Sequence, residues 1–429
     1  MKTLKIIFKT LVLSFILIMT TSHNSYSVEE SYYTISGVVK DARTNSEIAF
    51  ASVFVPGSTI GTVANLNGVF TLKVKESLNV EEFEISHLGY ENAVFSISDY
   101  VDKTSDFLLE PSTVALPEVV VWTDEAYQLV AEALSKIKSN YSQEPQLLKG
   151  FYREAIKQKR NYISVSEALV DIYKAPYDNT FKNDRVKLIR GRKSGDVSEV
   201  DTLLLKLRGG PTVANLMDVA QNDDLFISNN TINYYNYEIV DVVNIENKMN
   251  YVVEFSPRVE LPYPLFFGKI YISLDEKAIT MAEFSLDLSD DSKAVRYFIT
   301  RKPGKLRFSP KSTKYLVTYK EIDGTYYLNY VRCELEFFAD FRRTLFKTRY
   351  NVMFEMAITE RESEDIESFS FRESFKTRSV LADLVDIYFE DGYWGQYNYI
   401  EPEESIESAI KKLNEEFKQS NNNIEVEKY

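Results

Sequence analysis

The chain has 429 residues, a formal net charge of −14 and a pI of about 5.0. Its length predicts two domains, and its acidity excludes general nucleic-acid binding, which needs a basic surface. With two histidines and one cysteine, the chain cannot form an internal disulfide and lacks the usual zinc-peptidase motifs, so we expect no catalytic residue, no metal site and no cofactor.

Residues 1–27 have the pattern of a secretory signal peptide. Three lysines precede residue 10, an apolar run covers residues 11–19, and Ser25 and Ser27 suit the −3 and −1 positions of a cleavage site. This segment holds three lysines and no acid, so its removal takes the net charge from −14 to −17. The pattern predicts export to the periplasm or to an outer-membrane-associated site. No later segment is long and apolar enough for a transmembrane helix, so membrane contact of the mature chain would be peripheral.

Residues 33–110 have the spacing of a small β-sandwich. Short runs rich in β-branched and aromatic residues alternate with polar or glycine-containing turns. The predicted strands are residues 35–40, 51–55, 69–74, 82–87 and 93–97. His87 is the one histidine left after residues 1–27, and its place in a sandwich strand favours a structural role over catalysis.

The glycine pattern of this region carries a family resemblance. The run Ile35-Ser36-Gly37-Val38-Val39-Lys40-Asp41, the pair Asn67-Gly68 and the run Ser86-His87-Leu88-Gly89-Tyr90 are similar to the carboxypeptidase-regulatory-like (transthyretin-like) domain. Domains of this family precede many TonB-dependent receptors and related envelope proteins. The resemblance implies an immunoglobulin-like fold without catalytic activity.

Residues 111–123 are predicted to be a linker. They contain an apolar run that is also typical of an edge strand: Glu118, Val119, Val120 and Val121. In receptor families a similar run lies near the segment that pairs with TonB. Two hypotheses therefore stay open, a structural linker and an edge that contacts a TonB-linked receptor.

Residues 124–419 are predicted to be an antiparallel β domain with flanking helices. Helices are expected at residues 124–140, from Pro211 to about residue 220, and after Pro402. Period-two alternation over residues 234–361 predicts a long meander, and Asp323-Gly324 suits a type I′ hairpin turn within it. An open half-barrel is one form that such a meander can take. Residues 420–429 are polar and are expected to be a disordered tail. The fold class is thus mainly β.

Two further resemblances concern this second domain. Leu207-Arg208-Gly209-Gly210-Pro211, Tyr251-Val252-Val253-Glu254-Phe255 and the run from Tyr393 to Pro402 are similar to a family of unknown function found after the same sandwich. A helix followed by a long meander also resembles periplasmic lipoprotein carriers, although in topology alone.

An apolar loop joins two strands of the meander and is the first candidate contact site. It could fold onto the core, or it could form a hydrophobic lip that touches a lipid or a protein. The candidate residues are Tyr263, Leu265, Phe266 and Phe267.

A basic segment in this otherwise acidic chain is the second candidate. It could be a solvated face, or it could contact an anionic lipid or glycan headgroup. The candidate residues are Arg301, Lys302 and Lys305.

The sequence therefore predicts a non-catalytic exported envelope protein. Its sandwich would be a docking module, and its sheet domain would bind a protein or lipid partner. Two alternatives remain at this point: a carboxylate-dependent hydrolase of envelope glycans, which two facing acids with raised pKa values would favour, and an assembly partner of a TonB-dependent receptor.

Overall fold

The alternating apolar residues fold into three sheets in the computed structural model of this chain. The structure describes residues 31–112, 123–177, 183–194, 210–298, 306–341, 347–387, 392–403, 406–413 and 415. The predicted signal peptide and C-terminal tail lie outside this described part. The mainly β fold class is confirmed, with a small sandwich followed by a large antiparallel sheet and a few helices.

The N-terminal sandwich consists of two sheets, with strand orders β4-β1-β7 and β3-β2-β5-β6. Close approach of β1 and β7 requires glycine at position 37, because a Cβ there would lie 2.1 Å from the carbonyl oxygen of Ser105. The elements are β1 (Tyr32–Asp41), β2 (Ser52–Phe54), β3 (Gly61–Val63), β4 (Val69–Lys75), β5 (Glu82–Ser86), β6 (Ala93–Ser96), α1 (Ile97–Tyr100) and β7 (Thr104–Leu109).

The second domain is built on one eleven-stranded sheet, in the order β11-β12-β13-β14-β15-β16-β17-β8-β9-β10-β18. Two meanders, β8 to β10 and β11 to β17, meet where β17 pairs with β8. The order has two ends, so the sheet is open. The strands are β8 (Gln146–Gln158), β9 (Asn161–Lys174), β10 (Arg185–Ser194), β11 (Tyr235–Ile245), β12 (Lys248–Pro257), β13 (Phe266–Ser273), β14 (Ile279–Leu286), β15 (Leu306–Ile322), β16 (Thr325–Phe341), β17 (Thr348–Glu362) and β18 (Asp386–Ile387).

Local sequence explains most of these elements. The hairpin between β15 and β16 turns at Asp323 and Gly324, whose φ angles of 51° and 78° confirm the predicted positive-φ turn. The predicted helix at Pro211 is shorter than expected and ends at Asn215, because turns held by Asp218 and Asn222 follow it. The helices of this domain are α2 (Thr123–Asn140), α3 (Pro211–Asn215), α4 (Asp291–Phe298) and α5 (406–413).

One face of the large sheet, which we call the inner face, is covered by α2 and by residues 210–234. At one end of α2 the Tyr127 hydroxyl donates to the side-chain oxygen of Asn233, and just beyond the other end the Tyr141 hydroxyl donates to the carbonyl of Ile279. The apolar residues of this helix, among them Leu129, Val130 and Ala133, pack into the main hydrophobic core. Phe226 is fully buried at the centre of that core.

The sandwich packs against the opposite, outer face of the sheet. Phe50 stacks on Tyr330 of β16 with ring centroids 5.7 Å apart, and Val63 is buried together with Trp394. Residues 392–403 lie in the same junction, where Asn398 exchanges two hydrogen bonds with the backbone of Lys73. The two domains therefore share a packed interface. Among the described residues, no helix has the length and apolar composition of a membrane span.

The filled inner face gives a first testable prediction. Phe226→Ala should lower the free energy of unfolding by about 3–5 kcal/mol, because the truncated ring leaves a cavity among packed aromatic side chains. Phe267→Ala is the matched control, since this ring is 45% exposed and its loss should change stability by about 0.5 kcal/mol. Urea unfolding of both variants measures the difference. Equal unfolding midpoints would contradict the filled core.

Candidate functional site

The predicted apolar loop divides between the core and the surface. Leu265 and Phe266 are buried on the inner face, whereas Tyr263 is 51% exposed and Phe267 lies outward on β13. Strand alternation explains why Phe266 and Phe267 lie on opposite faces, because they are neighbours on β13. We call the exposed apolar residues of this segment, Val259, Tyr263 and Phe267, the rim. Of the four predicted contact residues, Tyr263 and Phe267 are the two that a ligand could reach directly.

The basic candidates Arg301, Lys302 and Lys305 lie outside the described residues, between α4 and β15. The described neighbours nevertheless connect the two predicted contact features. The ring of Phe266 lies 6.3 Å from that of Tyr297 on α4, so the apolar loop packs beside the helix that precedes the basic segment. Glu118, Val119, Val120 and Val121 are also outside the described residues, and their edge-strand role stays a prediction.

A row of alternating charges crosses the outer face of the sheet. Its members face one another in register on five adjacent strands, and we call this row the charge ladder. In strand order it consists of Arg332, Glu355, Arg153, Glu167 and Arg192. Glu355 accepts hydrogen bonds from Arg153 at 3.1 Å and from Arg332 at 3.0 Å. Glu167 accepts from Arg153 and from Arg192, each at 2.7 Å.

Burial and mutual attraction act against each other in the charge ladder. Burial alone would raise the pKa of Glu167, but the charges of Arg153 and Arg192 hold that pKa below its usual value. Burial likewise opposes the charge of Arg153, and Glu167 and Glu355 raise the pKa of its guanidinium. The Arg153 guanidinium also donates to the carbonyls of Ile400 at 2.7 Å and Glu401 at 3.3 Å. The ladder thus joins the sheet to the domain junction.

A second buried charge cluster lies at the start of β10. Lys174 is fully enclosed and pairs with Asp184 at 2.7 Å and with Asp218 at 2.6 Å. Burial opposes its charge, yet the two carboxylates raise the pKa of Lys174 above its usual value. The hydroxyls of Tyr177 and Tyr319 each donate to Asp218 at 2.7 Å. One ammonium group thus faces two carboxylates, and both carboxylates are hydrogen-bonded within the protein.

This cluster forms the base of a surface cleft with a volume of 700 Å³, which we call the β10 cleft. Its walls come from residues 183–186, 212–224 and 371–378. Phe371 and Leu216 are exposed on these walls. Sequence reasoning missed this cleft because three segments distant in the chain build it. The one local signal is an exposed aromatic residue, Phe371, in a polar stretch.

A third feature is a cleft of 600 Å³ at the domain junction, lined by residues of β1 and β4 and by residues 392–402. In the described part of the chain, no group of three or more His, Cys, Asp or Glu side chains could hold a metal ion. The single cysteine, Cys333, is buried on β16, and burial raises the pKa of its thiol.

Glu154 is the carboxyl group that comes closest to an acid–base role. Burial raises its pKa to about 7; a hydrogen bond from Tyr152 opposes the rise, and the charge of Asp383 adds to it. Glu154 lines neither the β10 cleft nor the junction cleft. The two facing acids in a cleft that a glycan hydrolase would need are therefore not formed by this residue.

The raised pKa of Glu154 predicts a pH-dependent stability. Between about pH 4.5 and 7 the folded protein keeps a proton that the unfolded chain releases, so stability falls as the pH rises. Glu154→Gln removes this charge and should stabilise the protein at pH 8 by roughly 1–3 kcal/mol, but by less than about 1 kcal/mol at pH 5. Urea unfolding at both pH values measures the two gains.

The matched control for this measurement is Glu364→Gln, which neutralises an exposed glutamate on the segment after β17. It should change stability by about 0.5 kcal/mol or less at either pH. If Glu154→Gln gave the same gain at pH 5 as at pH 8, the raised pKa would be disproved.

Comparison with solved structures gives distant likenesses. The chain is similar to a DUF1329 family protein from Desulfovibrio piger, with 11% identity over 57% of this chain and 95% of that chain and a TM-score of 0.24. A putative outer membrane lipoprotein-sorting protein domain from Vibrio parahaemolyticus shows 10% identity, the same coverage of 57% and 95%, and a TM-score of 0.25. Lipovitellin shows 9% identity over 54% of this chain and 26% of that chain, with a TM-score of 0.27. Likenesses at such TM-scores carry no argument about function.

Comparison of sequences identifies the first domain. No curated protein matches the chain. A family model does match residues 35–121, and this match covers the strands β1 to β7 and their glycine pattern. The predicted family resemblance is thereby confirmed for the sandwich. The chain carries a CarboxypepD_reg-like domain at residues 35–121.

Proposed function

We propose that this chain is a non-catalytic protein of the cell envelope that binds an anionic lipid surface peripherally through its rim. The sandwich and the large sheet act together as the docking unit. The observation that carries the proposal is the ring contact between Phe266 and Tyr297, because it joins the strand that bears the exposed Phe267 to the helix that precedes the basic segment in the sequence. The exposed ring of Phe267 is therefore one residue away from the contact with α4, and the basic residues follow α4 in the sequence.

The packing of the inner face supports contact with a surface over uptake of a lipid. The ring of Phe226 lies 4.2 Å from that of Phe255 and 4.6 Å from that of Phe284, so the protein's own side chains fill the centre of the sheet. A lipid carrier would instead need an apolar cavity for acyl chains.

The chemistry of the rim suits a membrane interface. Tyrosine and phenylalanine present large apolar rings, and exposed rings of this kind enter the boundary between headgroups and acyl chains. Arg301, Lys302 and Lys305 would add attraction to anionic lipids of about 1 kcal/mol for each basic residue near the surface. Glu154, the carboxyl group with a pKa of about 7, lines neither cleft and so is not placed to act on a ligand in either of them.

Vesicle sedimentation tests the proposed lipid contact. The purified protein should sediment with vesicles of phosphatidylethanolamine and phosphatidylglycerol, and much less with phosphatidylcholine alone. Replacement of both Arg301 and Lys302 by Gln should weaken binding by about 2 kcal/mol, which is roughly thirtyfold. The double variant with Tyr263→Ser and Phe267→Ser should weaken binding to both vesicle types, because it removes the rings that enter the interface.

Phe371→Ser is the matched control, since this ring is exposed but lies in the β10 cleft, away from the rim. It should leave vesicle binding unchanged. If the unaltered protein stayed in the supernatant with both kinds of vesicle, the lipid surface would be the wrong partner.

A further inference from the structure

We propose that the β10 cleft binds a neutral carbohydrate. The cleft is separate from the rim, so this proposal does not depend on the lipid contact. Its volume of 700 Å³ lies within the range of about 300–1,000 Å³ that is typical of small-molecule sites. The chemistry of its base, its walls and its backbone each point to this class of ligand.

The base of the cleft holds hydrogen-bonding groups without partners. Asn215 is 2% exposed and donates from its side-chain nitrogen to Asp184 at 2.7 Å, but its buried side-chain oxygen accepts no hydrogen bond. Arg185 lines the same cleft, and its buried Nη1 donates no hydrogen bond. An unsatisfied buried group costs about 1–3 kcal/mol. Both atoms are closed off from solvent, so a ligand reaches them only where these side chains turn toward the cleft; sugar hydroxyls, which both donate and accept, would then satisfy the two groups.

An aromatic side chain stands on the wall of the cleft. Phe371 is 67% exposed, and the ammonium group of Lys376 lies 5.0 Å from its ring centroid. Leu216 is also exposed on this wall. The C–H face of a pyranose ring is apolar and packs on such rings, while its hydroxyls reach the polar groups at the base. The walls and base together match the two-sided chemistry of a sugar.

The charges around the cleft balance, which favours a neutral ligand. Four acids line it, namely Asp184, Asp218, Asp223 and Asp224. The bases are Arg185, Lys376 and Arg378 on the lining and Lys174, which is paired to the acids from beneath. An anionic headgroup or a strongly charged peptide would meet no complementary excess of charge.

The backbone of the cleft is already paired, which disfavours a peptide added as an extra strand. The N–H of Phe375 donates to the carbonyl of Val186 at 2.6 Å, and Lys187 forms a bridge with Ser374. The carbonyl of Phe375 accepts from the Thr212 hydroxyl at 2.7 Å. Strand addition needs free backbone groups at an edge. The cleft therefore offers side chains for hydrogen bonding, and sugars are recognised through side chains.

Isothermal titration calorimetry with four neutral hexasaccharides tests the proposal. The probes are maltohexaose, cellohexaose, mannohexaose and chitohexaose. At least one should bind the purified protein saturably. Phe371→Ala should weaken that binding roughly tenfold, because it removes the stacking ring. Phe371→Trp should preserve binding, since it keeps an aromatic face.

Phe267→Ala is the matched control, because it removes an equally simple exposed ring on the rim and should leave the sugar affinity unchanged. Phe371 is exposed, so its variants are expected to fold, and circular dichroism checks this. Three results would overturn the proposal: no saturable binding of any hexasaccharide, equal affinity in Phe371→Ala, or equal losses in the Phe371 and Phe267 variants. Failure of vesicle binding would leave this result untouched, so the two proposals are tested separately.

Discussion

The charge ladder is the interaction on which the rest of this structure depends. Arg153 stands at its centre, between Glu355 on β17 and Glu167 on β9. Because a shift of one residue would put every side chain on the wrong face, cross-strand charge pairs fix the register where the two meanders meet. Removal of one partner from such a buried pair typically costs about 3–5 kcal/mol, since it leaves an unpaired charge. The ladder therefore constrains the sheet more strongly than surface ion pairs could.

The charge ladder also determines which parts of the chain cover each face of the sheet. Buried charges need covering groups that accept their remaining hydrogen bonds, and the carbonyls of Ile400 and Glu401 do this for Arg153. Phe50 of the sandwich closes the same surface, with the Arg332 guanidinium 4.8 Å from its ring centroid. The outer face thus requires the sandwich and residues 392–403 as its cover. The apolar inner face is instead covered by α2 and by residues 210–234, which include Phe226.

Local patterns in the sequence predicted the helices and strands, but they could not predict contacts between segments that are distant in the chain. Alternation located the meander, and Asp323-Gly324 located a turn, because both depend on neighbours in the chain. Arg153 and Glu355 are 202 residues apart, so no spacing rule could pair them. Phe266 and Phe267 are consecutive and apolar, yet one is buried and the other is exposed. The sequence could not show which of the two faces the core, because this depends on how β13 lies in the sheet. The β10 cleft was missed for the same reason as the ladder.

The protonation states of the charge ladder and the Lys174 cluster suit structural pairing and not acid–base catalysis. A general acid or base works best with a pKa near the operating pH. In the ladder and the Lys174 cluster, attraction between opposite charges lowers the pKa of Glu167 and raises the pKa values of Arg153 and Lys174. Each of these groups is therefore held in its charged form. The unsatisfied groups in the β10 cleft are an amide oxygen, which accepts a hydrogen bond, and a guanidinium nitrogen, which donates one. Such groups orient a ligand by fixed hydrogen bonds, and this is the behaviour of a binding site.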